Sequence, residues 1–450
     1  VQAQAGITGA RGPRPGAEHL LTGALDRLAA VKGRPALYPY VGSGVGHGPL
    51  VELMDGSVKW DMINGIGVHM FGHGDPELVR VALRASMSDV VMQGNLQFNE
   101  DSIAFGELLV REAGKASAIR HAFITNSGAM SNESALKVCF QKNAPASRVI
   151  AFSNCFMGRS TAMAQIGDSA GGRVGIPLNV LVDYMPFFDP EDPEGSTRYA
   201  VRRLEEYIER YPRQHACFVM ELVQGEGGFN VAPREFFEPL MKLCRQHRIA
   251  VWADEVQTFG RTEEMYHYHH LGLGEYVDVV TIGKMSQVCA CLFTEAYAPK
   301  PGLLSGTFIG STVGLNVGRA SLQRLLDGGY YGPKGRIAKL HASFREHASA
   351  FIAKHAEWFP PVPHPHHGDP MAVGLFGGIG GMMRITPFGG RKDMVTKLLN
   401  VMFEEGVIAF YCGHGPYHLR FLPPVGVMQP AQFKDVFAIM ERSMARVAGE

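Results

Sequence analysis

The sequence predicts an α/β fold, a mostly parallel sheet covered by helices, with a smaller α+β domain after it. Two observations carry this. Through the middle of the chain, short apolar runs of strand length alternate with amphipathic segments, the pattern of successive βαβ units. From about Gly328 onward the alternation gives way to a helix-like stretch, a Pro/His/Gly loop at 360–370 and a glycine-rich strand region.

The strand candidates, in order, are HAFIT (121–125), RVIAFS (148–153), HACFVMEL (215–222), RIAVWADE (248–255) and YVDVVTIG (276–283). Between the third and fourth lies PREFFEPLMKLCRQHR, where Phe236, Leu240, Leu243, Cys244 and His247 recur at helical spacing. Pro233 suits its first turn, and Pro239 predicts a kink. Further helices are expected near 391–405 and 430–447. The resulting parse is an N-terminal arm at 1–60 that packs with the small domain, a large domain at 61–325 and a C-terminal domain at 326–450.

Forty-three basic residues balance forty-three acidic ones, so no overall field draws the chain toward nucleic acid or an anionic membrane. A small-molecule partner is expected. The first twenty residues hold no apolar core of signal-peptide length and no later run approaches a membrane span, which predicts a cytoplasmic protein. Seven scattered cysteines do not form a secreted disulfide framework and are read as reduced thiols.

Three motifs invite other readings. GSGVGHG (42–48) has no frame that satisfies the dinucleotide fingerprint, and a turn is expected there. IGKMS fails the P-loop at both ends, with Asp278 where the first glycine belongs and Met285 where the hydroxyl belongs. The clusters YHYHH (266–270) and PHPHH (363–367) offer no acidic or thiolate partners at metal-ligand spacing. They are read as surface histidines, and no metal is expected.

Lys284, in TIGKMSQVC, stands where an apolar strand should end. A lone lysine there is ordinarily a charged turn residue; it gains chemical meaning if it forms a Schiff base, for which pyridoxal phosphate is the commonest partner. That cofactor needs a carboxylate for its pyridine nitrogen, backbone donors for its phosphate and an aromatic face for its ring. Asp254 ends the neighbouring strand candidate and supplies the first. Ser127, Gly128 and Ala129 open a helix after HAFIT and supply the second. Phe156, after RVIAFS, supplies the third.

Taken together, the chain resembles the class III, or omega, aminotransferases of the pyridoxal phosphate fold type I superfamily, over about Tyr38 to Arg446. WDMINGIGVHMFGHGDP, SGAMSNESALK, ELVQGEGG, DEVQTFGRT, VVTIGK and LRFLPP stand in the family's order. The resemblance implies a seven-stranded sheet, a homodimer or higher oligomer, and 2-oxoglutarate as acceptor. It implies that Lys284 carries the cofactor and the proton shift, that Asp254 holds the pyridinium and that Gln257 reaches the ring hydroxyl. Phe156 and Val256 cover the two ring faces, Glu221 belongs to the cofactor-binding set, and Thr307 binds the phosphate of the partner subunit's cofactor. Arg159 meets a carboxylate, while Glu226 masks Arg420 in one half reaction and releases it in the other. KMSQVCACLF and the phosphate loop lean toward lysine 6-aminotransferases and 4-aminobutyrate aminotransferases, so lysine, ornithine or 4-aminobutyrate are the expected donors. An aminomutase or racemase of the same fold is the alternative within this chemistry, and a catalytically inactive binding protein is the alternative outside it.

Overall fold

The computed structural model describes residues 2–36, 38–88, 92–94, 96–363, 370–371 and 374–449. The chain divides into two compact units: Arg80–Ala338 with Gly378–Gly380, and Val1–Val79 with Lys339–Gly377 and Gly381–Glu450.

The first unit is built on a seven-stranded sheet. Its strands are β1 (Ile119–Thr125), β2 (Arg148–Phe152), β3 (Leu181–Met185), β4 (His215–Met220), β5 (Ala250–Asp254), β6 (Val279–Ile282) and β7 (Cys289–Thr294), in the order β1-β7-β6-β5-β4-β2-β3. The pairs from β6 through β3 are parallel, and β7 runs antiparallel to both β6 and β1. Every residue of β4, β5, β6 and β7 is buried. Strands covered on both faces must be apolar throughout, which is why these runs show no alternation.

The five strand candidates all form, four of them trimmed at their ends and HAFIT extended back to Ile119. Two strands escaped the reading. β3, LVDYM, is an edge strand with Leu181 exposed; β7, CACLFT, is rich in small residues and follows the lysine turn at once. Helix α1 (Gly128–Asn143) follows β1, and α2 (Arg234–Gln246) precedes β5. Pro233 is the N-cap of α2, one residue outside the first turn expected for it, and the helix continues as one element through Pro239. The periodic residues Phe236, Leu240 and Cys244 are buried, joined by Phe237 and Met241.

At the β3 edge, Asp183 accepts from Arg148 on β2 at 2.6 and 2.7 Å and meets His215 on β4 at 2.9 Å. Burial pushes this carboxyl up, but Arg148 and His215 overcome it and hold it down at about 2. Its contribution to stability is therefore present above the ordinary carboxylate range and is lost as pH falls toward 2. Asp183→Ala leaves Arg148 uncompensated, and a loss of about 3–5 kcal/mol is expected at neutral pH in chemical denaturation. That loss should shrink in acid. A variant equal to wild type at pH 7 would show that the ion cluster contributes nothing.

In the second unit, Gly42–His47, Leu50–Leu53 and Val58–Asp61 form an antiparallel meander to which Val407–Ile408 adds in parallel. GSGVGHG is thus mostly a strand rather than the expected turn: Gly42–His47 pairs with Leu50–Leu53, irregularly around Gly44 at φ +89°, and the motif's last residue, Gly48, makes the reversal with Pro49. Helices Lys392–Glu405 and Phe433–Gly449, close to the expected ranges, pack on one another. His418–Phe421 lies between Met382–Ile385 and Phe410–Cys412, antiparallel to both.

All seven cysteines are buried and none is disulfide-bonded. Among the described residues no helix is long and apolar enough to cross a membrane. The YHYHH cluster is a surface feature only in part: His270 is exposed and His269 half-buried. His267 is fully buried, and burial pushes its imidazole down to about 3. The backbone N–H groups of His267 and Tyr268 donate to the buried carboxylate of Glu255, both at 2.8 Å. The histidines of PHPHH lie outside the described residues.

Candidate active site

Loops at the carboxyl ends of β1, β2, β4, β5 and β6 enclose a cavity of about 290 Å³, where open α/β sheets place their ligands. Each loop brings one kind of group. After β1, Ser127 caps α1 by accepting from the Met130 N–H at 3.2 Å. Gly128 and Ala129, whose first-turn N–H groups have no partner within the helix, line the cavity. A Cβ on Gly128 would stand 2.7 Å from Val256 Cγ1, so only glycine lets the helix start this close to the β5 loop.

After β2, the Phe156 N–H donates to Glu221 Oε2 at 2.8 Å. The exposed Arg159 guanidinium lies 5.2 Å from the Phe156 ring centroid, and among the described residues it has no ion pair. After β4, Glu221 also accepts from the Gly225 N–H at 3.1 Å, immediately before Glu226. Burial, reinforced by the charge of Asp254, pushes the Glu221 carboxyl up to about 8.

Asp254 ends β5 and is 6% exposed. Its Oδ1 accepts from the Val256 N–H at 2.9 Å and its Oδ2 from Asn132 Nδ2 at 2.8 Å. Burial pushes this carboxyl up, while those two donors and the Lys284 charge pull the other way. Gln257 is 8% exposed, and its Oε1 is buried without a partner among the described residues. A Cβ on Gly225 would come within 2.4 Å of that oxygen; the glycine keeps this wall open.

β6 lies beside β5, with Thr281 in register with Asp254. Two residues beyond β6, Lys284 takes φ +57°, a left-handed conformation that costs a non-glycine residue about 1 kcal/mol or more. Such strain persists where the surroundings over-determine it, often at functional sites.

The cavity therefore brings together Gly128, Ala129, Phe156, Arg159, Glu221, Glu226, Asp254, Val256, Gln257 and Lys284. Three predicted residues are placed otherwise. Ser127 caps the helix outside the lining, and Thr307 sits on an exposed loop of the same unit. Arg420 belongs to the second unit, where it lies in the strand His418–Phe421, 1% exposed and 5.5 Å from the Phe410 ring centroid. Asn132, Gly158, Val223 and Thr258 line the cavity without having been singled out. Asn132 stood inside the quoted SGAMSNESALK, four residues after Gly128 and so on the same helix face.

These groups fit pyridoxal phosphate. A helix start with open N–H groups suits a phosphate, a buried carboxylate suits a ring nitrogen, and the unpartnered Gln257 oxygen calls for a donor such as a ring hydroxyl. A lysine and an aspartate at adjacent carboxyl edges of a seven-stranded, mostly parallel sheet define the architecture of fold type I pyridoxal phosphate enzymes. The family model Aminotransferase class-III matches residues 43–444, and the chain belongs to that family.

Among curated relatives, an acetylornithine aminotransferase of Caldanaerobacter subterraneus subsp. tengcongensis is 27% identical over 416 residues, covering 89% of this chain and 94% of that protein. A mitochondrial acetylornithine aminotransferase of Eremothecium gossypii is 28% identical over 232 residues, and that match spans 50% of this chain and 52% of the relative. Among solved structures, the lysine aminotransferase from M. tuberculosis in the internal aldimine form superposes with a TM-score of 0.78 at 21% identity, covering 94% of this chain and 99% of that one. The ornithine aminotransferase from Toxoplasma gondii ME49 superposes with a TM-score of 0.77 at 20% identity, covering 94% and 95%. At these identities the structures speak for the fold.

Proposed function

We propose that this class III aminotransferase uses pyridoxal phosphate to move the terminal amino group of an amino-acid donor to 2-oxoglutarate, giving a semialdehyde and glutamate. Lysine, ornithine and 4-aminobutyrate are the donors the sequence favours, and the relatives' names add acetylornithine to the set worth testing. One observation carries the reading. Arg159 stands on the cavity wall beside the Phe156 ring with its guanidinium uncommitted to any carboxylate among the described residues. A cation so placed suits a substrate carboxylate; a purely hydrophobic amine would have no use for it.

When bound, the cofactor supplies an electron sink for the substrate carbon that loses its proton. The protein's residues do the rest. In this reading Lys284 would hold the cofactor and take up and redeliver the proton that the substrate carbon loses, while Asp254 would keep the ring nitrogen protonated and Gln257 would accept from the ring hydroxyl. Phe156 and Val256 flank the ring, Glu221 ties the Phe156 loop to the Gly225 turn, and Ser127, Gly128 and Ala129 take the phosphate. Thr307, exposed and outside the cavity, is assigned to the phosphate in a partner subunit. A homodimer is supported by the apolar side chains that this unit leaves in solvent, among them Leu96 at 97% and Met87 at 88% exposed.

The reading is tested by a donor panel with 2-oxoglutarate, scored by glutamate formed. Turnover of donors bearing a carboxylate, and its loss in Arg159→Ala, is expected; glutamate from hydrophobic amines alone would overturn it. Arg420 is assigned the α-carboxylate of the acceptor, and Glu226 its restraint while an omega donor binds. Arg420→Ala is expected to weaken the 2-oxoglutarate half reaction by tens to thousands of fold, the equivalent of about 2–5 kcal/mol, with little change in the donor half. Stopped-flow spectra of each half separately decide this, and equal damage to both would make Arg420 a structural residue.

A further inference from the structure

Asn132, in the second turn of α1, has both amide protons committed. Nδ2 donates to Asp254 Oδ2 at 2.8 Å and to the Met157 carbonyl at 2.8 Å. The residue is 2% exposed and lines the cavity, and its Oδ1 is buried without a partner among the described residues. Turning the amide over would set Oδ1 against two acceptors, so the chemistry fixes this orientation. An asparagine that merely filled the core would ordinarily have both ends bonded. Here the nitrogen joins two groups far apart in sequence, and the oxygen is left unbonded.

Those two groups are the carboxylate at the end of β5 and the backbone next to Phe156. We infer that Asn132 is a positioning residue that fixes the Asp254 carboxylate relative to the Phe156 segment, so that the group for the ring nitrogen and the group for the ring face keep one spacing. The inference rests on the pyridoxal phosphate reading of the cavity.

The arrangement has a pH signature. Besides Asn132, Asp254 accepts from the Val256 N–H, the Thr281 side chain also lowers its carboxyl, and Lys284 is the cation facing it. Glu221, Glu255 and Cys155 are the other titratable groups that feel its charge. Burial raises the Asp254 carboxyl and the donors lower it. Losing the Asn132 donor therefore raises it further, and ionised Asp254 is lost earlier as pH falls.

The test is Asn132→Leu, close in shape and without donors. Apoprotein is titrated with pyridoxal phosphate across pH 5.5 to 9, following protein fluorescence, the induced circular dichroism of the bound cofactor, and the thermal midpoint. Cofactor affinity at neutral pH is expected to fall about 10- to 100-fold, its acid limb to move up by about one pH unit, and the dichroism to change. A lower thermal midpoint with unchanged affinity, acid limb and dichroism would mean a structural asparagine and overturn the inference. Should Asn132→Leu fail to fold, Asn132→Ser is measured in the same way. Its single proton can serve one partner at a time, so a smaller shift in the same direction is expected and an unmoved acid limb overturns the inference. If wild-type protein takes up no stoichiometric pyridoxal phosphate, the cofactor reading itself fails, a result distinct from wild-type binding that Asn132 does not influence.

Discussion

Lys284→Ala is expected to fold and to lose transamination by a factor of about 10⁴ or more. It removes the amine that holds the cofactor and the base that moves the proton, and positioned acid–base catalysis alone is worth about 10²–10⁴. Borohydride treatment of wild-type holoenzyme should fix the cofactor on the peptide containing Lys284, and recovery on any other lysine would end the assignment. The backbone offers an independent check. Because Lys284 sits at φ +57°, Lys284→Gly should be more stable than Lys284→Ala by about 1 kcal/mol in chemical denaturation. Equal stabilities would show that the left-handed turn stores no strain.

Asp254→Ala is expected to slow the single-turnover chemical step by about 10³ while the protein remains folded. A ring nitrogen without its carboxylate loses its proton and with it the electron sink, and one preorganised electrostatic contact is typically worth about 10²–10³. The fold loses a moderate amount: deletion relieves a buried carboxyl that burial already pushes up, which offsets part of the cost, about 1–3 kcal/mol each, of leaving the Val256 and Asn132 donors unpaired. A structural aspartate predicts the reverse, a large fall in thermal midpoint and near-normal chemistry in what remains folded. Measuring both quantities separates the two.

The loops of the site were legible because each chemical residue follows an apolar run that can only be a buried strand. Lys284, Asp254, Phe156 and Gly128 could be placed by counting from those runs. Strand order was not legible. That β7 inserts between β1 and β6 depends on pairings such as Cys291 with Phe123, between residues far apart in sequence. Nor was the union of the N-terminal meander with Val407–Ile408. GSGVGHG misled because its glycines suggest a turn throughout, whereas Gly42–His47 pairs with Leu50–Leu53 and only Gly48 lies in the reversal. His267 misled because a histidine cluster suggests surface, whereas its backbone N–H and that of Tyr268 are drawn inward to a buried Glu255. Asn132 was missed for a simpler reason: its two partners lie on other loops, so its function exists only once the chain has folded.

The antiparallel strand β7 also orders the assembly of the site. β1, which carries the phosphate cradle, is an edge strand whose single neighbour in the sheet is β7. β7 in turn is reached from β6 through the short turn that holds Lys284. That local antiparallel pair closes a small loop, whereas docking β1 closes one of well over a hundred residues and is entropically the dearer step. The lysine turn must therefore exist before β1 has anything to pair with. Cofactor added during refolding is expected to meet a half-built site until β1 docks, and to reach its final affinity only with the completed sheet.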